Sequence, residues 1–209
     1  KRISRKKSGF MWLWMSYKTG LARTPSNAER QKAMDELPSR SLRYWVSPGK
    51  FLAGPYPSDY FGENTDKILL DILREGIRSF VDLTMPNDQP YGVQYAAQLT
   101  QLGKTSKADV FLSRMPIEDF GIPDKLQMQA ILDLIDSRIA AGSPVYLHCR
   151  AGLGRTGTVV CCWLIRHGFT AGEVLDRLNE LRRCTYTADE PSPETEEQVQ
   201  FVLNWEEGA

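Results

Sequence analysis

The stretch from Val145 to Ile165 limits the fold more than any other part of the chain. Val145-Tyr-Leu-His148 is a short apolar run, the pattern of a strand buried on both faces. A loop carrying Gly152 and Gly154 follows, and Arg155 to Arg166 then reads as a helix stopped by Gly168. A buried strand that turns through glycines straight into an apolar helix calls for a sheet with helices packed on it. The rest of the chain repeats this alternation. Phe51-Leu-Ala-Gly-Pro-Tyr-Pro reads as a strand ending in a turn, and Thr65 to Glu75 as a helix stopped by Gly76. Ile77 to Leu83 reads as an alternating strand, Tyr91 to Leu102 as a helix and Val110 to Met115 as a strand. Gln127 to Ala141 is an amphipathic helix with Met128, Ile131, Ile135 and Ile139 on one stripe. Thr170 and Glu173 form a capping-box pattern ahead of Val174, and Ser192-Pro193 reads as the start of a last helix. The expected class is α/β, with a central, mostly parallel sheet flanked by helices.

Charge divides the chain. Residues 1–50 hold 12 Lys/Arg against 3 Asp/Glu, and residues 51–209 hold 14 against 23, so a balance of +9 is followed by −9. A basic arm on an acidic body is not a nucleic-acid-binding domain. Residues 1–40 read as a basic extension of unknown function, and residues 44–209 as the folded domain. The longest apolar runs, Phe10–Met15 and Val159–Ile165, fall far short of the ~20 residues of a membrane-spanning helix. The four cysteines, Cys149, Cys161, Cys162 and Cys184, have no zinc-site spacing and are too few for a disulfide framework in 209 residues. Neither a metal nor a cofactor is expected. The cysteines point to a reducing compartment, so the cytoplasm is the expected location, with organelle targeting by the basic start as the other reading.

The loop residues themselves define a chemistry. Gly152 and Gly154 permit a tight turn whose amides converge at a helix N-terminus, which is an anion site. Arg155 adds a planar donor suited to phosphate. Cys149 heads the same loop, where helix dipole, amides and guanidinium favour its thiolate. A nucleophile beneath a bound oxyanion suits attack on phosphorus through a phosphocysteine. Thr156 is placed to donate to the cysteine sulfur, and His148 to brace the loop through its ring nitrogens. Gly152-Leu-Gly154-Arg-Thr-Gly157 also matches the G-x-G-x-x-G text of a dinucleotide fold. The acidic residue that such a fold needs ~20 positions on, at a strand end, is absent, because Glu173 begins a helix.

His148-Cys-Arg-Ala-Gly-Leu-Gly-Arg-Thr-Gly157 resembles the signature loop of the cysteine-dependent protein-tyrosine and dual-specificity phosphatases. Its text is most similar to the dual-specificity branch, to the cell-cycle phosphatases of that branch and to its small bacterial members. The resemblance covers roughly residues 44–205. It implies the cysteine-phosphatase fold and a substrate-binding loop of Arg150, Ala151, Gly152, Leu153, Gly154 and Arg155.

It also implies a general acid on an upstream loop, since the leaving oxygen must be protonated. Pro116-Ile-Glu-Asp119-Phe-Gly-Ile-Pro123 resembles that loop and puts Asp119 at the acid position, 30 residues before Cys149. Ile-Glu stands where the tyrosine-specific branch has Trp-Pro. Glu118 and Asp124 are the neighbouring carboxylates, with Asp124 read as a helix N-cap. Glu194-Thr-Glu-Glu-Gln198-Val-Gln-Phe201 resembles the family's glutamine segment, in which Gln198 would help place the hydrolytic water. A helix-surface position is the other reading of Gln198. Glu194 stands where the tyrosine-specific branch has its first glutamine, and a carboxylate there can contact water.

The implied partner is a phosphorylated protein, with phosphotyrosine hydrolysed and phosphoserine or phosphothreonine as further substrates. Arg150 and the basic arm motivate an alternative, a phosphoinositide or small phosphate. A phosphate-binding module without turnover and a rhodanese-like sulfur transferase are other classes. The latter needs neither the Arg-Thr-Gly ending nor the acid loop. Cys161 and Cys162 read as buried, inert thiols, with a disulfide to Cys149 as the alternative.

Overall fold

A computed structural model describes residues 41–59, 62–87 and 94–206. The expectations for residues 1–40 lie outside the described residues. Among the described residues, five strands form one sheet in the order β1-β2-β5-β3-β4. They are β1 (Tyr44–Ser47), β2 (Phe51–Gly54), β3 (Ser79–Asp82), β4 (Phe111–Arg114) and β5 (Val145–His148). Only β1 runs antiparallel, on β2; the β2–β5, β5–β3 and β3–β4 pairs are parallel. The helices are α1 (Thr65–Arg74), α2 (Ala96–Ser106), α3 (Lys125–Ala140), α4 (Gly154–Arg166), α5 (Ala171–Arg182) and α6 (Glu196–Leu203).

The period of two along each strand builds two cores. Phe51, Ala53, Val81, Val145 and Leu147 face one side, against Met128, Ile131 and Ile135 of α3 and Val159 and Val160 of α4. Val174 and Leu178 of α5 and Val202 of α6 close the same layer. Leu52, Phe80 and Tyr146 face the other side, against Leu69, Ile72 and Leu73 of α1 and Leu99 of α2. With both faces covered, every residue of β3 is buried, Ser79 and Asp82 included, so the alternation read in Ile77–Leu83 marks which core a side chain enters and not its exposure. Because four strands are parallel, the chain leaves β2, β3, β4 and β5 at one edge of the sheet. That is where open α/β sheets build their sites.

Two helix boundaries differ from the sequence reading. The helix expected over Tyr91–Leu102 runs from Ala96 to Ser106, with residues 91–93 outside the described residues. Tyr95 turns into the core instead of riding on the helix, and Lys107 ends α2 in the left-handed conformation. The last helix begins at Glu196 and not at Ser192-Pro193. The Ser192 hydroxyl is used elsewhere, donating to the Leu153 carbonyl at 2.8 Å. Thr195 takes the N-cap instead, accepting from the Gln198 amide at 3.2 Å. Among the described residues, no helix is long and apolar enough to cross a membrane.

Candidate active site

The site grows from the end of β5. His148, its last residue, is fully buried and packs its ring on Tyr146 and edge-on to Tyr56 and Tyr95. Burial pushes its imidazole below the usual value, outweighing the nearby Asp82 carboxylate. The ring is therefore neutral at neutral pH, and its partners select the tautomer. Nδ1 faces only acceptors, the Cys149 carbonyl at 3.2 Å and Asp82 Oδ1 at 3.8 Å, so it carries the proton. Nε2 then accepts from the Tyr95 hydroxyl at 2.7 Å. His148 thus braces the Cys149 carbonyl, and Tyr95 braces His148. Thr84 gives Asp82 Oδ1 two hydrogen bonds, from its amide at 2.9 Å and its hydroxyl at 2.6 Å. Sequence reading missed Tyr95, Asp82 and Thr84, for which no local motif exists.

Cys149 is buried, and the Gly152 amide points at its sulfur, N···Sγ 3.3 Å. Gly152 holds φ +77°, and a Cβ there would lie 2.5 Å from the Gly54 carbonyl carbon and 2.6 Å from the Pro55 nitrogen. Only glycine lets the loop lie on the end of β2. A hydrogen bond from the Tyr56 amide to the Arg150 carbonyl, 3.0 Å, ties the two loops. Arg150 and Ala151 are exposed and line a cleft of about 360 Å³ with Tyr56, Ser58 and Asp59. Leu153 and Gly154 are buried where α4 begins. Cys161 and Cys162 are buried free thiols, and burial pushes Cys161 up to about 12, so it stays protonated.

Arg155 turns its side chain beneath the loop, almost wholly buried. Nη1 donates to the Ile117 carbonyl at 3.0 Å and reaches the Leu83 carbonyl at 3.4 Å. Nη2 lies 2.8 Å from Asp119 Oδ1. One guanidinium therefore joins the loop headed by Cys149 to the segment after β4. That segment turns at Glu118–Gly121, closed by the Gly121 amide on the Glu118 carbonyl at 3.0 Å. Phe120 occupies the turn's third position at φ +60°, a strained conformation for a side chain of that size. The turn puts Asp119 at its corner, part-exposed toward Arg155. Glu118 is exposed, and Asp124 caps α3, accepting from the Gln127 amide at 2.8 Å.

The C-terminal segment holds both loops. Gln198 is fully buried, which overturns its helix-surface reading. Its Oε1 accepts from the Glu194 and Thr195 amides at 3.0 and 3.2 Å, and its Nε2 donates to the Gly121 carbonyl at 3.0 Å. It is a clamp on the turn that carries Asp119. The expectation for Thr156 is also corrected. Its hydroxyl is buried with no hydrogen-bond partner among the described residues, so it makes no bond to Cys149. As a first-turn residue of α4, its side-chain direction is set by packing of the helix.

An uncharacterized protein of Methanocaldococcus jannaschii is 37% identical over 91 residues, 44% of this chain and 56% of its own length. The tyrosine-protein phosphatase cdc-14 of Caenorhabditis elegans is 29% identical over 146 residues, 66% of this chain and 18% of that protein. The chain therefore spans about half of the first relative and under a fifth of the second. The crystal structure of Tk-PTP in the active form superposes with a TM-score of 0.61 at 26% identity, over 78% of this chain and 93% of that one. A family model described as polymorphic toxin system, DSP-PTPase phosphatase, matches residues 61–169. That span is more than half of the 209 residues and holds both the loop of Cys149 and the turn of Asp119, and the chain belongs to the DSP-PTPase phosphatase family.

Proposed function

We propose that this chain is a phosphomonoester hydrolase that dephosphorylates phosphotyrosine, and phosphoserine or phosphothreonine, in proteins through a phosphocysteine intermediate. The observation that carries the reading is the Arg155 bridge, which brings the Asp119 carboxylate to the loop headed by Cys149. In the first step the Cys149 thiolate attacks phosphorus, the S–P bond forms and the P–O bond to the leaving group breaks. Asp119 gives its proton to the departing oxygen. Arg155 and the loop amides hold the remaining phosphoryl oxygens. In the second step Asp119 takes a proton from water, the water oxygen bonds phosphorus, the S–P bond breaks, and inorganic phosphate leaves the regenerated thiolate. No step calls for a metal.

His148 has a static part in this scheme. Its proton is committed to the Cys149 carbonyl, so it fixes the loop and transfers nothing. Gln198 acts by holding the Asp119 turn. Arg150 and Ala151 form the rim that meets the substrate's flanking groups. A nucleophilic thiol that must stay reduced suits a reducing compartment such as the cytoplasm.

The test is turnover of p-nitrophenyl phosphate with chelator present, comparing wild type with Cys149→Ser. Metal-independent activity lost in the serine variant supports the reading, and inactivity of reduced wild type defeats it. A panel of phosphotyrosine, phosphoserine and phosphothreonine peptides beside a phosphoinositide then assigns the substrate. Activity on the lipid alone would replace the protein substrate.

A further inference from the structure

Glu194 lies in the connection between α5 and α6, outside the segment matched by the family model. Its Oε2 accepts from the Gly154 amide at 2.8 Å. Gly154 is the first residue of α4, and first-turn amides have no partner within their own helix. They also stand at the positive end of its dipole. This amide belongs to the loop headed by Cys149, and the loop's amides are the donors on which an oxyanion above the sulfur must rely. The other strong anion donor of the loop, Arg155 Nη2, has Asp119 at 2.8 Å. Two anion-seeking groups of one loop therefore each hold a carboxylate of the chain itself, one from each flank. Asp119 has a use there as acid and base. Glu194 transfers no proton in the steps given above, and its carboxylate is spent on the Gly154 amide.

Gln198, four residues on, supplies the neutral hydrogen bonds that hold this connection, accepting from the Glu194 backbone amide at 3.0 Å. The segment is therefore anchored without the Glu194 carboxylate, also through Ser192 on the Leu153 carbonyl. What the carboxylate adds is a negative charge on an amide of the loop headed by Cys149.

We propose that Glu194 is an affinity-determining residue that competes with phosphoryl oxygens for the Gly154 amide and so weakens the binding of substrate and of product phosphate. The proposal rests on the hydrolase reading. A carboxylate beside a phosphate dianion repels it, and this one must also yield its hydrogen bond before a phosphoryl oxygen can take the same N–H. The cost falls on both ends of the cycle: the substrate binds less tightly and inorganic phosphate leaves more readily. A residue that merely capped α4 would have the opposite signature, since losing the cap would loosen the loop and weaken every anion.

Glu194→Gln separates the two, because glutamine keeps the length and an acceptor oxygen while removing the charge. Binding of inorganic phosphate and of tungstate to the full chain is measured by titration calorimetry at fixed neutral pH, beside KM and kcat for p-nitrophenyl phosphate. The expected result is a Kd for both anions lower by roughly threefold to tenfold, the size of one like charge removed at short range in a partly wet site. KM should fall with it, and kcat should not rise. Unchanged or weaker anion binding in a folded E194Q overturns the proposal. If E194Q does not fold, Glu194→Asp replaces it. The shorter carboxylate draws back from the Gly154 amide, and binding no tighter than wild type again overturns the proposal. Wild type that neither binds phosphate nor turns over p-nitrophenyl phosphate defeats the hydrolase reading itself. Turnover by wild type with no gain in E194Q defeats the Glu194 proposal alone.

Discussion

Asp119 and Arg155 face each other at 2.8 Å, a part-exposed carboxylate on a buried guanidinium. The pair joins the turn after β4 to the loop after β5, and the same guanidinium also holds the carbonyl of Ile117, just ahead of that turn, at 3.0 Å. The positions of Asp119 and of the Cys149 loop are thus not independent. Any change at Arg155 moves both.

Asp119→Asn removes the proton donor and keeps the shape. For phenyl phosphate, whose leaving group needs protonation, kcat should fall by about 10²- to 10⁴-fold. For p-nitrophenyl phosphate, whose leaving group departs as a stable anion, the loss should be much smaller. Steady-state rates on the two esters check this, and equal losses would remove Asp119 from the acid's role.

Arg155→Lys keeps the charge but not the planar fork. A lysine cannot serve the Ile117 carbonyl, the Asp119 carboxylate and a phosphoryl group together. The expected loss in kcat/KM is at least about 10²-fold, that of an oxyanion donor. Kinetics on p-nitrophenyl phosphate, with the urea midpoint as a control for folding, measure it.

Gly152→Ala forces a methyl to within 2.5 Å of the Gly54 backbone at φ +77°. Backbone cannot swing aside as a long side chain would. Overpacking of this kind costs about 1–3 kcal/mol, with a further 1–2 kcal/mol for the left-handed conformation. Urea unfolding should show the loss, and phosphate binding should weaken with it because the loop must shift.

Tyr95→Phe leaves His148 Nε2 buried without its donor. The expected destabilisation is about 1–3 kcal/mol. Activity should fall although no group touching substrate has changed, since the neutral tautomer that holds the Cys149 carbonyl loses its support. Denaturation and kcat for p-nitrophenyl phosphate are the readouts.

The depressed His148 value makes stability depend on pH. In the unfolded chain the imidazole titrates near the ordinary histidine value of 6.5, while the folded protein keeps it neutral to lower pH. Below 6.5 the unfolded state therefore binds a proton that the folded state refuses, so stability is full above that value. It falls with pH, by up to about 1.4 kcal/mol per pH unit, until the folded value is passed. Urea midpoints of wild type and His148→Asn across this range check it. The variant, with no imidazole to protonate at that position, should show a shallower slope.

The sequence alone determined the parts of this protein that are local. A buried strand, a glycine loop and an apolar helix are adjacent in the chain, so their order puts Cys149 and Arg155 on one loop between β5 and α4. The α/β class, the stripe of α3 and the Asp124 cap were legible for the same reason. Tertiary structure alone decided what meets that loop. Tyr95 reaches His148 across 53 residues, Glu194 reaches Gly154 across 40, and Gln198 reaches Gly121 across 77. No periodicity or motif encodes such pairs, because they exist only once the parallel strands have brought their ends to one edge and the C-terminal connection has packed against it. The start of α6 shows the same limit. Ser192-Pro193 carries a helix-start pattern, but the Ser192 hydroxyl is drawn to the Leu153 carbonyl, and the helix waits for Thr195. Thr156 shows it too: its sequence position suggests a bond to Cys149, but its hydroxyl is buried without a hydrogen-bond partner among the described residues.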